Sequence, residues 1–349
     1  MQLSRSRAIT VLGAALTAAA VPRTAPAQDA VAAIKVGVTT ALTTAPLYIS
    51  DRMGFFKDEG LTVEIIEFVS AAAMVAPLGA GQLDVGAGVI SAGLYNAVAR
   101  GIHVRAVADL GSDPPGYGFQ WLVIRTDLIK SGRYKTLKDI KGMTLSTPAP
   151  GIATMSQYGH MLKSVGLSLS DLKVIYMPNP DALVALKNGA IDGSLLPEPS
   201  PTIAVKMGIA QKVLSDDAYY PNQQIAVVLY GVNMLKPDRT NGVKFMRAYI
   251  KGVRVYNDSL RNGKIAGPQA AAILKIFSDT NTQLDPTLLA QVTPNGNNPN
   301  GQMNMASLHE DLTFFKQQGW IEGDVTPTQL VDTSYLDEVL KTLGTYRKR

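Results

Sequence analysis

Two stretches of this chain carry the same pattern 108 residues apart. Met74-Val-Ala-Pro-Leu-Gly-Ala-Gly-Gln-Leu-Asp84 matches Ala182-Leu-Val-Ala-Leu-Lys-Asn-Gly-Ala-Ile-Asp192. Each reads as a helix, a terminating glycine (Gly81, Gly189) and a buried strand led by an aspartate (Asp84, Asp192). Two small, hydroxyl-rich loops, Thr39–Thr44 and Thr147–Thr154, recur at nearly the same offset. A repeat of this kind constrains the fold strongly, because it predicts two equivalent units rather than one continuous core.

The units are built from alternating strands and helices. Ile34 to Val38 reads as a short strand, followed by the small and hydroxyl residues 39–46 and then a helix with Pro46 in its first turn, where a missing N–H costs nothing. Further strands are expected at Leu61–Phe68, Leu83–Val85, Val104–Leu110 and Trp121–Arg125. A glycine-rich turn is expected at Gly86–Ser91. The pattern then restarts, with strands at Met143–Ser146, Leu172–Tyr176 and 191–196. Asp181 is expected to cap the helix after Leu172–Tyr176, and Pro197-Glu-Pro-Ser-Pro201 to exclude regular structure. Ile225–Tyr230 is a clear strand, and the remainder is mostly helical, including 242–262. Strand–helix units of this length predict an α/β fold with parallel sheets. Ligands of such sheets bind beyond the carboxyl ends of the strands, where loops 39–46, 69–72, 88–91 and 110–112 fall.

Composition narrows the function. The chain has 349 residues, enough for two domains with real cores. Arg5, Arg7 and Arg23 precede the first acidic residue, Asp29, and without them 30 basic residues face 28 acidic ones. So balanced a body argues against nucleic acid as a partner. Residues 1–27 have the anatomy of a secretory signal: Arg5 and Arg7, an apolar stretch Ala8–Val21, and Ala25-Pro-Ala27 as a cleavage site. The apolar run is shorter than the ~20 residues that span a bilayer. The chain has no cysteine, which excludes disulfides, thiolate metal sites, cysteine nucleophiles and a lipidated cysteine anchor. A freely soluble periplasmic protein is the expectation.

Little in the chain points to catalysis or to a metal. His103, His160 and His309 are far apart and lack ligand spacing. There is no G-x-S-x-G elbow and no P-loop. Gly86-Ala-Gly88-Val-Ile-Ser91 is only a partial dinucleotide motif. Asp84 and Asp192 read as structural. Glu198 is placed beyond a strand end, where it can meet a ligand amine or ring N–H or stand in water at the rim. Tyr48, Tyr117, Phe119 and Trp121 can form an aromatic wall or pack in the core. The threonines at 39–44 can bind a ligand together with the helix N–H groups, or simply cap the helix.

The run Ala45-Pro-Leu-Tyr-Ile-Ser-Asp-Arg-Met-Gly-Phe-Phe-Lys-Asp-Glu-Gly-Leu61 resembles the opening signature of periplasmic substrate-binding proteins of ABC importers, of the nitrate/sulfonate/taurine/thiamine-precursor type. Gly81-Gln-Leu-Asp84, Leu137-Lys-Asp-Ile-Lys-Gly142, Gly189-Ala-Ile-Asp192 and Pro197-Glu-Pro199 follow in that family's order, and the resemblance spans about 34–345. It implies the type II periplasmic-binding-protein fold, two α/β lobes with mainly parallel sheets joined by two crossover strands, closing on a solute by hinge motion. Lobe one is then 34–123 plus 228–345 and lobe two 124–227, with the crossovers near Trp121–Arg125 and Val227–Tyr230. The implied ligand contacts are Thr39, Thr40, Thr43, Thr44, Ser70, Ala71, Ala72, Ile90 and Ser91 from lobe one, and Thr147, Gly151, Ile152, Thr154 and Glu198 from lobe two. The implied partners are a small-molecule solute and an ABC permease at the membrane surface, for a monomer with no cofactor and no metal. A ligand-sensing protein or an enzyme of the same fold are the alternatives. Enzyme relatives that make the thiamine pyrimidine use a cysteine-rich motif that this chain lacks.

Overall fold

The computed structural model describes residues 31–39, 41–68, 70–280 and 285–347. The expected signal segment 1–27 and Thr40 lie outside them. The chain forms two five-stranded sheets. The strands, in chain order, are β1 Ala32–Val38, β2 Leu61–Glu67, β3 Val85–Val89, β4 Arg105–Ser112, β5 Gln120–Arg125, β6 Thr144–Thr147, β7 Lys173–Tyr176, β8 Gly193–Pro197, β9 Ala210–Ser215 and β10 Gln224–Tyr230.

The sheets have the same plan. The first is ordered β2-β1-β3-β10-β4 and the second β7-β6-β8-β5-β9. In each, three neighbouring strands run parallel and the fourth position is antiparallel, filled by β10 and by β5. The chain leaves the first sheet through 113–119 straight into β5, and returns through 216–223 straight into β10. Both faces of each sheet are covered, which explains the near-continuous apolar runs of the central strands. All seven residues of β10 are buried. Separate apolar clusters lie on the two sides of the first sheet, and two more flank the second.

The repeated sequence has a structural counterpart. Asp84 Oδ2 accepts the Lys35 N–H of β1 at 2.8 Å, and Asp192 Oδ2 accepts the Thr144 N–H of β6 at 2.9 Å. The backbone N–H of each aspartate returns a bond to the same residue's carbonyl, at 3.1 and 2.8 Å. Each aspartate thus ties a strand's approach to its central neighbour. Gly81 and Gly189 hold φ near +73° and +75°, a region that side chains with a Cβ resist.

Several local expectations need correction. The third strand is Val85–Val89, not 83–85, so Gly86 and Gly88 lie within a strand rather than a turn. A Cβ on Gly88 would lie 2.4 Å from the Ala71 Cβ, so the glycine admits the helix Ala71–Gly79 onto the sheet. The helix Asn179–Asn188 begins two residues before Asp181, with Pro178 at the cap position. Residues 197–201 are not irregular throughout, because β8 ends at Pro197 and a helix Ser200–Lys206 starts at once, its proline lying where the helix needs no N–H. β9 was not expected at all. The long C-terminal helix is Thr240–Ser259, and a two-strand hairpin, Leu260–Arg261 with Lys264–Ile265, follows it.

Candidate functional site

The loops expected to meet a ligand lie at the carboxyl ends of neighbouring strands. Thr39 follows β1, Ser70 to Ala72 follow β2, and Ile90 and Ser91 follow β3. In the second sheet Thr147 ends β6, Gly151 to Thr154 open the helix Ala153–Lys163, and Glu198 follows β8. The two sets touch. Ser91 faces Ile152 in an isolated antiparallel bridge. The Ala92 N–H donates to the Gly151 carbonyl at 2.7 Å, and the Ala153 N–H to the Ile90 carbonyl at 3.0 Å. Gly151 has φ +68°, and a Cβ there would lie 3.1 Å from the Ala92 Cβ. Strand ends of both sheets therefore converge on one place.

The individual side chains differ in what they leave free. Thr39 is half-buried. Thr43 and Thr44 lie in a buried 3-10 turn, Leu42–Thr44, that runs into the helix Ala45–Arg52. Thr44 Oγ1 donates to the Ala41 carbonyl at 2.7 Å, and the Thr43 methyl packs over Gly111 of β4. Ser70 and Ser91 cap the helices Ala71–Gly79 and Ala92–Ala99, accepting from Ala73 N and Leu94 N. Ile90 is a core side chain. Thr154 Oγ1 donates to Gln120 Oε1 at 3.2 Å. Thr147 is 1% exposed, and its hydroxyl has no hydrogen-bond partner among the described residues. Ala71 and Ala72 supply the first helical N–H groups, which have no partner within the helix.

Glu198 is 2% exposed. It pairs with Lys212 of β9 and accepts from Thr202 Oγ1 at 2.9 Å and Thr202 N at 3.3 Å. Lys212 Nζ also donates to Thr202 Oγ1 at 2.8 Å and stands 5.1 Å from the centre of the Trp121 ring. Ile203, one residue beyond Thr202, packs into a cluster with Leu42, Ala45 and Tyr117. The helix after Glu198 thus adjoins the turn after Thr39. Of the other aromatic candidates, Phe119 is buried in the core and Tyr48 is half-buried against it.

Buried acids and carboxamides, which sequence reasoning missed, line the two passages between the sheets. Asp109 of β4 accepts from Gln224 Nε2 (2.6 Å), Gly111 N (2.9 Å) and Asn298 N (2.6 Å). Burial still raises it to about 6, against those bonds. Asp311 accepts from Gln223 Nε2 (3.1 Å) and Tyr220 OH (3.0 Å), and burial raises it to about 7. Gln223 Nε2 also reaches the Ala153 carbonyl at 3.2 Å, so Asp311 anchors the start of the 153–163 helix. His160 stacks on Tyr220 with ring centres 3.8 Å apart, and burial lowers its pKa despite Glu310 at 3.4 Å. The sequence gives no sign of these pairings, because the partners lie 88 to 189 residues away along the chain.

The groups gathered at the strand ends are hydroxyls, helix N–H groups and small side chains. They suit hydrogen bonding to a polar or anionic solute. A separate cavity of about 800 Å³ is lined by carboxamides, among them Asn222, Gln224, Asn297 and Asn304, and by none of the expected ligand residues.

A model of the NMT1-like family matches residues 27–266. No curated protein matches the chain. Among solved structures, the alkanesulfonate-binding protein SsuA from Xanthomonas axonopodis pv. citri, bound to MOPS, is similar at 16% identity and a TM-score of 0.68, covering 86% of this chain and 98% of its own. The periplasmic nitrate-binding protein NrtA from Synechocystis PCC 6803 is similar at 14% identity and 0.71, covering 90% and 89%. The desulfurization enzyme DSZB is similar at 11% identity and 0.62, covering 89% and 99%. At these identities the likeness is one of fold, the periplasmic-binding-protein fold of two α/β lobes.

Proposed function

Because the chain belongs to the NMT1-like family, we propose that it is the extracytoplasmic solute-binding subunit of an ABC importer. It captures a small, acid-bearing organic molecule between its two lobes and delivers it to a permease as a monomer. The observation that carries this reading is the convergence of strand ends from two equivalent sheets at the Ser91–Ile152 bridge. The similar sulfonate- and nitrate-binding proteins support it by analogy of fold. Among the described residues no helix is long and apolar enough to cross a membrane. Residues 1–27 act as the export signal in this reading, cleaved after Ala27.

The lobes hinge about 113–119 and 216–223, which draws their boundaries a few residues earlier than 123/124 and 227/228. The ligand's acid end meets the N–H groups of Ala71 and Ala72 and the hydroxyls of Thr39, Ser70, Ser91 and Thr147. No lysine or arginine occurs in loops 39–46, 69–72, 88–91 or 147–154. That disfavours a bare inorganic anion held by a charged side chain and favours a larger organic solute. Glu198 acts from behind Lys212, setting where that ammonium points.

A thermal-shift screen of the mature protein against sulfonates, nitrate, aromatic acids, pyrimidines and amines tests the proposal. A true ligand at about 100 times its Kd stabilises by about 2.7 kcal/mol. Turnover of an ester or amide, with no solute raising the melting temperature, would instead favour an enzyme, as the likeness to a desulfurization enzyme allows.

A further inference from the structure

Two carboxyl groups face one another where the chain passes between its sheets. Asp113 begins the outgoing passage and Asp216 the returning one. Both are 0% exposed, and one amide nitrogen, Gln157 Nε2, lies within hydrogen-bond reach of both. Two carboxylates sharing so dry a site without a cation resist ionising together, so one of them holds a proton.

The surroundings offer no substitute for that proton. Gln157 Nε2 is shared between the pair, 3.4 Å from Asp113 Oδ2 and 3.2 Å from Asp216 Oδ2. Asp216 also accepts from Gln120 N at 3.2 Å and Asp217 N at 2.9 Å. Among the described residues Asp113 Oδ1 has no hydrogen-bond partner. Among the described residues, the titratable groups that face the pair are Asp217, from the same returning passage, Asp109 on β4 and Tyr219. None of these carries a positive charge. Asp217 is held as an acceptor by Gly116 N (2.7 Å) and Ser215 Oγ (2.6 Å), and its charge opposes a further one beside it.

We propose that Asp113 and Asp216 share one proton and that this proton latches the hinge. While it is held, the outgoing passage is tied to the returning one. When it is lost, two buried carboxylates face each other and the lobes are driven apart. The latch rests on the reading of the two sheets as lobes that close on a solute.

The coupling to the cleft is short. Gln157 lies one turn into the helix whose first turn carries Thr154. Thr154 bonds Gln120 Oε1, and the Gln120 N–H bonds Asp216. Repulsion within the pair is therefore felt at the 151–153 loop and its bridge to Ser91. Burial raises Asp216 to about 7 and pushes Asp113 well above the usual carboxylate range, with the Asp216 charge the next cause. Loss of the proton is thereby placed at neutral to mildly alkaline pH.

The test compares the ligand-free wild type with Asp113→Asn, which keeps the shape and supplies a permanent N–H donor. Infrared difference spectra between the two at pH 7 should contain a carboxylic-acid carbonyl band that disappears as pH rises to 9. Small-angle scattering over the same range should show the wild-type radius of gyration rising and the variant's staying constant. If Asp113→Asn fails to fold, Asp216→Asn carries the same readouts. Absence of the acid band overturns the shared proton. A band that titrates with no change in radius, or the same change in the variant, overturns the latch. Both readouts need no solute, so a failed latch leaves the import reading standing, and an empty solute screen leaves the proton standing.

Discussion

Replacing Lys212 with methionine gives the sharpest energetic prediction. The Glu198 side chain is 0% exposed and that of Lys212 is 21% exposed. Without the ammonium, Glu198 keeps one hydroxyl and one long N–H, both from Thr202. Breaking a buried ion pair by removing one partner costs about 3–5 kcal/mol, because a charge is left uncompensated. Water reaches Lys212, so the lower end, about 3 kcal/mol, applies to Lys212→Met. Glu198→Gln should cost less, about 1 kcal/mol, since the lysine can turn outward into solvent. Removing both charges should restore most of the loss and bring the double variant within about 1 kcal/mol of wild type. Urea unfolding at pH 7 reads these values. With a slope of roughly 3 kcal/mol per molar for a chain of this size, Lys212→Met lowers the midpoint by about 1 M. A single-variant loss below about 1 kcal/mol, or a double variant as unstable as the sum of the singles, would refute the claim that the pair is desolvated.

Two other predictions follow from backbone and proton chemistry. Asp109, Asp216 and Asp311 titrate near 6, 7 and 7 when folded, against 3.8 ordinarily. The folded chain thus binds more protons than the unfolded one from about pH 4 to pH 7, and stability falls as pH rises through that window, by up to about 1.4 kcal/mol per unit for each proton. Carboxylates held low by backbone N–H bonds, such as Asp139 and Asp171, add the opposite slope only below that window. A melting temperature that rises steadily from pH 4 to 7 would contradict this. Gly81→Ala and Gly189→Ala should each cost about 1 kcal/mol, because both sit at positive φ; a neutral result at either site would break the equivalence of the two helix ends.

The fold was legible where the residues declare their own surroundings. Trp121–Arg125 and Ile225–Tyr230 are β-branched, apolar and central, and read as strands in sequence as in structure. β3 was misplaced because Gly86 and Gly88 look like a turn; the space they leave for the Ala71–Gly79 helix belongs to tertiary packing. β9 went unseen because Ala-Gln-Lys-Val-Leu-Ser alternates too weakly, lying at a sheet edge. Missing β9 also hid Lys212, the partner of Glu198. The strand-end loops could be located from the repeat, since position relative to a strand is a local property. The joining of Asp113 to Asp216 could not, since their separation along the chain is closed only by the crossing of two passages.

Thr147→Val tests the central claim most directly. The Thr147 hydroxyl is buried at a strand end with no partner among the described residues, and valine keeps its shape. If that hydroxyl serves a solute, the change leaves the ligand-free melting temperature equal or higher, since an unsatisfied polar group is removed. Calorimetric titration with the compound that best stabilises the wild type should then show affinity weaker by about 0.5–1.5 kcal/mol, the net worth of one hydrogen bond. A lower melting temperature with unchanged affinity would make Thr147 a packing residue and place the solute elsewhere.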